Sequence, residues 1–252
     1  MEKELTREEK IKLVKQDITK THIMKMFEEL VNELPGITED DITSGDYVDL
    51  GLPSGLKWAT CNLGATKPCE YGLLYQFGRV DGYAYGDTNH QFRTQEQNKA
   101  DTGNQYIPVT TSGKRYYAGY VLDPADDAAY VASNGAMRMP AQAEITELLN
   151  NTTNQWVSCS VMGGDHTLHN VMGRLFTSKT DSSKTMFLPA TGGFYGEYGS
   201  FGYISSYGNY WSSSVDGSNS NYGRNLSFNS SGCGCSNHGR YSGFSIRGVF
   251  NN

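Results

Sequence analysis

Long apolar runs and a surplus of basic charge are the features that this sequence most clearly lacks. No stretch of eighteen consecutive apolar residues occurs, which excludes a hydrophobic transmembrane helix and predicts no membrane insertion. The 21 Lys and Arg residues are outnumbered by 27 Asp and Glu residues, giving a formal net charge of −6. Because nucleic-acid-binding surfaces are rich in basic side chains, we expect no nucleic-acid partner.

Signals for export and lipid attachment are also missing. The N-terminal sequence MEKELTREEKIKLVK is charged throughout and lacks the apolar centre of a secretory signal. Glu2 stands where myristoylation requires glycine, and the C-terminus has no prenylation motif. We therefore expect the protein to be a virion component released by lysis, or to reach a cell surface by another route.

Motifs of the common enzyme classes are absent. The sequence has no Ser/His/Asp constellation, no Walker loop and no dinucleotide-binding fingerprint, so we predict a protein without catalytic activity or a catalytic cofactor. None of its five cysteines forms a Cys-x-x-Cys pair, which argues against a zinc site. Because free cysteine behaves as a small apolar residue, the first three are predicted to be buried free thiols: Cys61, Cys69 and Cys159.

Three further groups of residues raise the question of metal binding or thiol chemistry. Cys233 and Cys235 flank one glycine, a poor spacing for a disulfide, and no neighbouring base would activate either thiol. His166 and His169 have only Asp165 as a further nearby ligand, so a solvated loop is favoured over a metal site. Three carboxylates around Pro124 predict either a structural calcium site or a capped turn, and we favour the turn: Asp123, Asp126 and Asp127.

The N-terminal segment, residues 1–36, has the pattern of a helix. Thr6 and Glu9 form a capping box, and apolar residues then recur near the 3.6-residue period until Pro35 and Gly36 end the segment. The register slips around residues 19–21, which predicts one bent helix or two short ones. Its apolar stripe must be covered by the body of the same chain, by self-association, for example as a trimer, or by a larger assembly to which the segment is anchored.

Beyond this segment, 29 Gly, 17 Tyr and 10 Phe residues indicate short strands and loops. An acidic linker over residues 37–46 leads into a domain over residues 47–252. Within it we predict strands near 47–50, 56–60 and 186–190, a loop over 85–115 and a helix over 142–150. The fold class is therefore predicted to be α+β.

The C-terminal segment, from about residue 192, is rich in Gly, Ser, Tyr and Asn but keeps an apolar skeleton that disordered segments lack. The alternation around Leu226 and Phe228 predicts a half-buried strand with Asn225, Ser227 and Asn229 on its outer side. The predicted skeleton consists of Phe194, Phe201, Tyr203, Tyr210, Trp211, Leu226, Phe228, Phe244, Ile246 and Val249.

This tail also has an unusual amino-acid usage. After Trp211 it contains no Lys, Glu, Gln, Met or Trp, the five amino acids that no codon ending in a pyrimidine encodes. Randomised adenines in AAC or AAT codons would produce the residues that are present. Simple low complexity would explain much of the same depletion, but not the scattered Cys, His and Arg residues. We favour directed diversification of a binding surface, whose Tyr, Ser, Gly and Asn content is typical of antibody paratopes.

Several segments resemble one protein family. The sequence YVDLGLPSGLKWATCNLGA at 47–65 is similar to the opening of the Fibrobacter succinogenes major paralogous domain. Further similar segments follow in the family's order up to about residue 250: LDPADDAA at 122–129, MRMP at 137–140, EITELLNN at 144–151, FLPA at 187–190, YWSSS at 210–214 and GFSIR at 243–247. Met137 stands where the family usually has Trp, and Gly248 where Pro often follows Arg.

The resemblance implies a C-type-lectin-like fold, related to the formylglycine-generating-enzyme architecture, with small antiparallel sheets, long ordered loops and few helices. Variable proteins of diversity-generating retroelements use this fold on bacterial surfaces or phage tail-fibre tips. The implied partner is a bacterial cell-surface protein or glycan, with residues 211–213, Leu226, Phe228 and 243–247 as scaffold.

Three other functions remain open: a structural or fimbrial surface subunit, a glycan-binding lectin of fixed specificity, and a degenerate oxidase-like enzyme. The ligand-binding surface is expected to lie within residues 200–243, with Tyr222, Arg240 and Tyr241 as the strongest contributors to binding. The full predicted set is Asp216, Ser218, Asn219, Asn221, Tyr222, Asn225, Ser227, Asn229, Ser231, Cys233, Cys235, Asn237, His238, Arg240 and Tyr241.

Overall fold

The structure, a computed structural model, describes residues 36–162 and 168–250. The predicted N-terminal helix and its self-association lie outside these ranges, as do Asp165 and His166. Residues from Ile37 onward form one compact unit. Its regular secondary structure is mainly β-strand with few helices, which confirms the predicted α+β class.

Short strands dominate the described residues, as expected for a chain rich in Gly and aromatic side chains. The strands are β1 (Ile37–Thr38), β2 (Tyr47–Val48), β3 (Lys57–Ala59), β4 (Leu74–Gln76), β5 (Gly82–Tyr83), β6 (Met137–Arg138), β7 (Thr152–Met162), β8 (Leu168–Ser178), β9 (Thr185–Pro189), β10 (Thr191–Tyr195), β11 (Ser200–Ile204), β12 (Gly208–Val215), β13 (Tyr222–Phe228), β14 (Cys233–Gly239), β15 (Gly243–Ser245) and β16 (Val249–Phe250). The helices are α1 (Gln95–Thr102), α2 (Ala128–Ala132) and α3 (Gln142–Asn151), with 3-10 turns at Glu39–Asp41 and Pro124–Asp126.

The strands form three sheets. One has the order β1-β7-β8-β9, and a second joins the early and late parts of the domain in the order β2-β3-β16-β6. The largest has the order β14-β13-β12-β10-β15-β4-β5, with β11 paired to β10. The antiparallel hairpin β13–β14 therefore lies at one edge of the largest sheet, beside β12.

The core explains why the predicted apolar skeleton is ordered. Trp58, Leu148 and Phe228 belong to one buried cluster, and Trp211 and Phe244 to a second, with ring centroids 4.7 Å apart. Each large side chain buried in this way contributes about 1.5–3 kcal/mol. Tyr203 differs from the prediction, because it is 56% exposed.

Local predictions had mixed outcomes. The helix predicted over 142–150 and the strand predicted over 186–190 are confirmed as α3 and β9. The predicted loop over 85–115 instead contains α1, capped where the hydroxyl of Thr94 accepts from the amide of Gln97. The predicted linker over 37–46 belongs to the compact unit, since Ile37 pairs with Cys159 in the sheet and Ile42 is buried.

The prediction of free thiols was wrong for two cysteines. Cys69 and Cys159 form a disulfide across 90 residues of sequence. Both are buried in a cluster with Ile42, Leu175 and Phe187. The bond ties the loop before β4 to the middle of β7, so it joins two elements that share no backbone pairing. Cys61 is free and half-buried.

Candidate functional site

The register of the β13–β14 hairpin places tail residues on two opposite faces of the sheet. Asn225 lies opposite Ser236, and Leu226 lies opposite Cys235. Because side chains alternate along a strand, odd-numbered residues of β13 share a face with even-numbered residues of β14. The predicted binding residues are therefore divided between a face toward α3 and a second face toward β10 and β11.

The second face combines tail residues with residues of β12. Asn209 lies opposite Ser227, which puts it on the same face as Ser236 and His238. Asn209 and Asn225 are buried and linked, since Nδ2 of Asn225 donates to Oδ1 of Asn209 at 3.1 Å. The face is thus closed at Asn225 and opens to solvent at Ser227.

Four tyrosines from the segment before β12 form a wall beside this face. The ring of Tyr195 is 5.2 Å from that of Tyr203, which is 5.5 Å from that of Tyr207, both in edge-to-face arrangements. Tyr198, at the turn between β10 and β11, is 71% exposed. Edge-to-face contacts hold such rings in place before any ligand arrives.

Wall and face together enclose an open groove of about 390 Å³, which we call the tyrosine groove. A groove of this volume falls within the range of small-molecule and side-chain binding sites, which is about 300–1,000 Å³. It is lined by Tyr195, Glu197, Tyr198, Tyr203, Tyr207, Asn209, Ser227, Ser236, Asn237 and His238.

The backbone of the wall is strained. Tyr203 has φ 63° and Ser205 has φ 60°, the left-handed region that side chains other than Gly rarely adopt. Such conformations cost about 1–3 kcal/mol each and persist where the surroundings hold them. Here the amides of Ser206 and Tyr207 both donate to the carbonyl of Tyr203, at 3.1 and 3.0 Å, and close the turn that positions two rings.

The groove carries little charge. Glu197 is the one carboxylate among the residues that line it. His238 packs edge-on against Phe244, with ring centroids 5.0 Å apart, and its burial lowers the pKa of the imidazole below 6.5. The groove therefore presents aromatic rings, hydroxyls, amides and a neutral imidazole at neutral pH.

Four predicted binding residues are buried, so the structure corrects their assignment to the surface: Asp216, Asn225, Arg240 and Tyr241. Asp216 holds a turn, because its Oδ1 accepts from the amides of Ser218 and Asn219 at 2.9 and 3.0 Å. Its Oδ2 lies 3.0 Å from Nη1 of Arg224. Hydrogen bonds from Ser218, above all from its hydroxyl, and from Asn237 and Asn219 lower the pKa of the Asp216 carboxyl.

Other predicted residues lie on the face toward α3. The sulfur of Cys235 is 3.6 Å from the Thr146 hydroxyl of α3, and Cys233 packs against the core. Burial raises the pKa of Cys233 to about 11, so its thiol is protonated at neutral pH. Asn237 donates to Asp216 from this face and also lines the groove at the sheet edge.

The remaining predicted residues belong to turns and loops. Ser218, Asn219 and Ser231 are exposed, whereas Asn221, Tyr222 and Asn229 are half-buried. Asn229 closes the hairpin turn, since its Oδ1 accepts from the amides of residues 231 and 232 at 2.8 and 3.0 Å. The predicted surface is therefore smaller than expected, and Ser227 and His238 are its clearest members within the groove.

The carboxylates around Pro124 form the capped turn that was favoured over a calcium site. Asp127 accepts from the amide of Tyr130 at 2.9 Å and caps α2. Asp126 accepts from Ser112 and from the hydroxyl of Tyr116, and Asp123 pairs with Lys114. In the described part of the chain, no group of three or more His, Cys, Asp or Glu residues is arranged to hold a metal.

Sequence reasoning missed the wall of the groove. Residues 200–210 lie within the predicted variable region, but no tyrosine of the segment FYGEYGSFGYISSYGNY at 194–210 was predicted to bind ligand, although the density of tyrosines between glycines is a signal for a contact surface. Ser236 was missed because β14 had no apolar alternation to define its faces.

No helix in the described ranges is long and apolar enough to cross a membrane. No protein-family model, curated protein or solved structure matches the chain.

Proposed function

We propose that this chain is a ligand-recognition protein whose tyrosine groove contacts the surface of a bacterial cell. The observation that carries the proposal is the register of β12, β13 and β14, which brings Asn209, Ser227, Ser236 and His238 to one face beside four tyrosines. The wall supplies rigid aromatic area at low entropic cost, while the tail supplies adaptable hydrogen-bonding groups.

We further propose a C-type-lectin-like fold of the Fibrobacter succinogenes major paralogous domain. The segments that carry the resemblance supply core residues, including the buried Trp58, Phe187, Trp211 and Phe244. Segments that are fixed by packing form a scaffold on which tail positions can vary. Ser227 and Ser236 are small and line the groove without a side-chain role in the core, so they tolerate diversification by a retroelement.

The protein would act on a phage tail-fibre tip or as a surface adhesin, with a host cell-surface protein or glycan as its partner. A structural or fimbrial subunit would not need a strained, preformed aromatic wall such as that at Tyr203. An oxidase-like role for Cys233 is disfavoured by its raised pKa. A lectin of fixed specificity would need constant polar ligands, whereas the polar side of this groove comes largely from the tail.

Binding to bacterial cells tests the proposal. The labelled protein is titrated against a panel of strains, and the double variant Ser227→Arg with Ser236→Arg is then measured on each strain that binds. Two bulky cations on one face would block the groove, so we expect binding to fall at least tenfold. The double variant Ser182→Arg with Ala132→Arg adds the same charge at two exposed positions outside the groove and outside the predicted binding set, so it is the matched control and should bind as the wild type does. Equal binding by the blocked variant would refute the proposal.

The mechanism of diversification has a separate test in the neighbouring DNA. We expect a near-copy of the codons for residues 200–250 beside a reverse-transcriptase gene, with adenines at the varied positions. A constant tail among close relatives would instead favour a structural subunit.

A further inference from the structure

A second cavity, independent of the tyrosine groove, lies beside the loop that precedes β13. It has a volume of about 360 Å³, which suits a ligand of one ring or a few carbon atoms. Ser220 of the tail lines it, and the neighbouring Asn221 accepts at Oδ1 from Nδ2 of Asn104 at 2.8 Å. One side is apolar, formed by residues 107–109, and the other is polar.

The charges that line this cavity are mostly neutralised in pairs, with one exception. Asp101 accepts from Nε of Arg93 at 2.8 Å, and Lys114 pairs with Asp123. Arg115 is exposed and has no ion-pair or hydrogen-bond partner in the described part of the chain. The cavity wall therefore presents one guanidinium whose five N–H donors are available.

A second guanidinium lies directly behind the wall. Arg240 is 0% exposed, and its Nη1 donates to the carbonyls of Tyr116 and Ser220 at 3.2 and 3.1 Å. Both carbonyls belong to residues that line the cavity. Its Nε and Nη2 have no hydrogen-bond partner among the described residues. The buried carboxylate of Asp126 accepts from the amide of Ser112 and from the hydroxyl of Tyr116, both at 2.6 Å.

Arg247 shows that a buried arginine in this fold can have all its guanidinium nitrogens hydrogen-bonded. It is equally buried, yet its Nε, Nη1 and Nη2 all donate to acceptors of the chain, including Oδ1 of Asn62 at 2.9 Å and the carbonyl of Phe187 at 2.9 Å. Burial lowers the pKa of Arg240 to about 10, so it remains charged at neutral pH. A charge in a low-dielectric wall acts strongly on the adjoining cavity.

We propose that this cavity is a separate binding site for a small molecule that carries a carboxylate. Arg115 makes the direct contact, for which its planar fork is suited. Arg240 adds a favourable potential through the wall, and residues 107–109 cover the apolar body of the ligand. The same carboxylate chemistry occurs in acidic saccharides and in non-sugar organic acids.

Calorimetric titration of the full chain distinguishes the two sources and tests the site. The probes are D-glucuronate and benzoate, each beside its neutral counterpart, D-glucose and benzyl alcohol. We expect one carboxylate to bind at least tenfold more tightly than its neutral counterpart. Glucuronate binding would assign the site to acidic saccharides, and benzoate binding to non-sugar acids.

Variants show whether the binding occurs in this cavity. Arg115→Ala should weaken binding of the carboxylate at least tenfold, and Arg115→Lys, which keeps the charge but not the planar fork, should restore only part of the affinity. Lys67→Ala removes the same charge from an exposed position outside the cavity and should have no effect. The proposal is overturned if neither carboxylate binds at about 10 mM, a limit near −3 kcal/mol, if the neutral counterparts bind equally, or if Arg115→Ala binds as the wild type does.

Discussion

Asn225 donates from Nδ2 to Oδ1 of Asn209 at 3.1 Å, and this amide pair closes the inner end of the tyrosine groove. Asn225 is 1% exposed, and its own Oδ1 has no partner in the described chain. A tail residue that composition alone would class with the varied surface is therefore part of the scaffold. Its neighbour on the same face, Ser227, lines the groove.

The first prediction follows from this contrast. Asn225→Ala removes a buried donor and leaves Oδ1 of Asn209 without its partner, so we expect the free energy of unfolding to fall by about 1–3 kcal/mol. Ser227→Ala, on the same face, should change it by less than about 0.5 kcal/mol. Urea denaturation of the two variants measures both values, and equal losses would place the two residues in the same environment.

The two buried arginines should respond differently to loss of charge. Arg247→Met leaves the carbonyls of Ala59, Thr60 and Phe187 without their donor, and we expect a loss of about 3 kcal/mol. Arg240→Met removes a cation that is only partly satisfied, so its loss should be at most about half as large. Thermal and chemical denaturation measure the free energy of unfolding of both variants. A larger loss for Arg240→Met would contradict the partial hydrogen bonding of Arg240.

Reduction of the disulfide should destabilise the domain. A crosslink that spans 90 residues restricts the unfolded chain and contributes about 2–4 kcal/mol. We expect Cys69→Ser to lower the free energy of unfolding by that amount and to abolish the effect of added dithiothreitol. Cys61→Ser is the matched control, since that thiol is free. A wild-type protein whose denaturation midpoint is insensitive to reductant would contradict the crosslink.

Acidification should weaken the fold through His238. Burial lowers the pKa of the His238 imidazole in the folded protein below 6.5. At pH values between this pKa and that of the unfolded chain, the unfolded state therefore binds more protons than the folded state. The free energy of unfolding therefore decreases as pH falls below about 6.5. His238→Gln should flatten this part of the pH profile. A profile that is unaltered by His238→Gln would exclude His238 as the cause.

The sequence predicted those features that depend on local pattern. The spacing of Ile145 and Leu148 defined α3, and the alternation of Leu226 with Phe228 defined β13. Thr94 and Gln97 form the capping box of α1, and their spacing is also a local signal, but the polar segment that contains them was predicted to be a loop. These signals act over a few residues, so one sequence is enough to find them.

Features that depend on distant packing could not be predicted in this way. Arg240, which directly follows β14, is buried, and its guanidinium carbon lies 5.1 Å from the ring centroid of Phe77. The disulfide joins residues 90 positions apart, and no spacing rule reaches that far. The tyrosine groove likewise requires knowledge of which strand lies beside β13, because one residue of register decides which tail residues share its face.

Recognition through the tyrosine groove is tested most directly by a variant that loses one ring of the wall and no hydrogen bond of the scaffold. Tyr203→Gly deletes an exposed ring and relieves a left-handed backbone conformation that suits glycine, so stability should be unchanged or higher. Tyr120→Ala deletes an exposed ring outside the groove. Affinity is measured on the bacterial cells that the wild type binds. We expect Tyr203→Gly to reduce this affinity at least tenfold and Tyr120→Ala to leave it unchanged. Retained binding by Tyr203→Gly, or no binding of the wild type to any strain, would contradict recognition through the tyrosine groove.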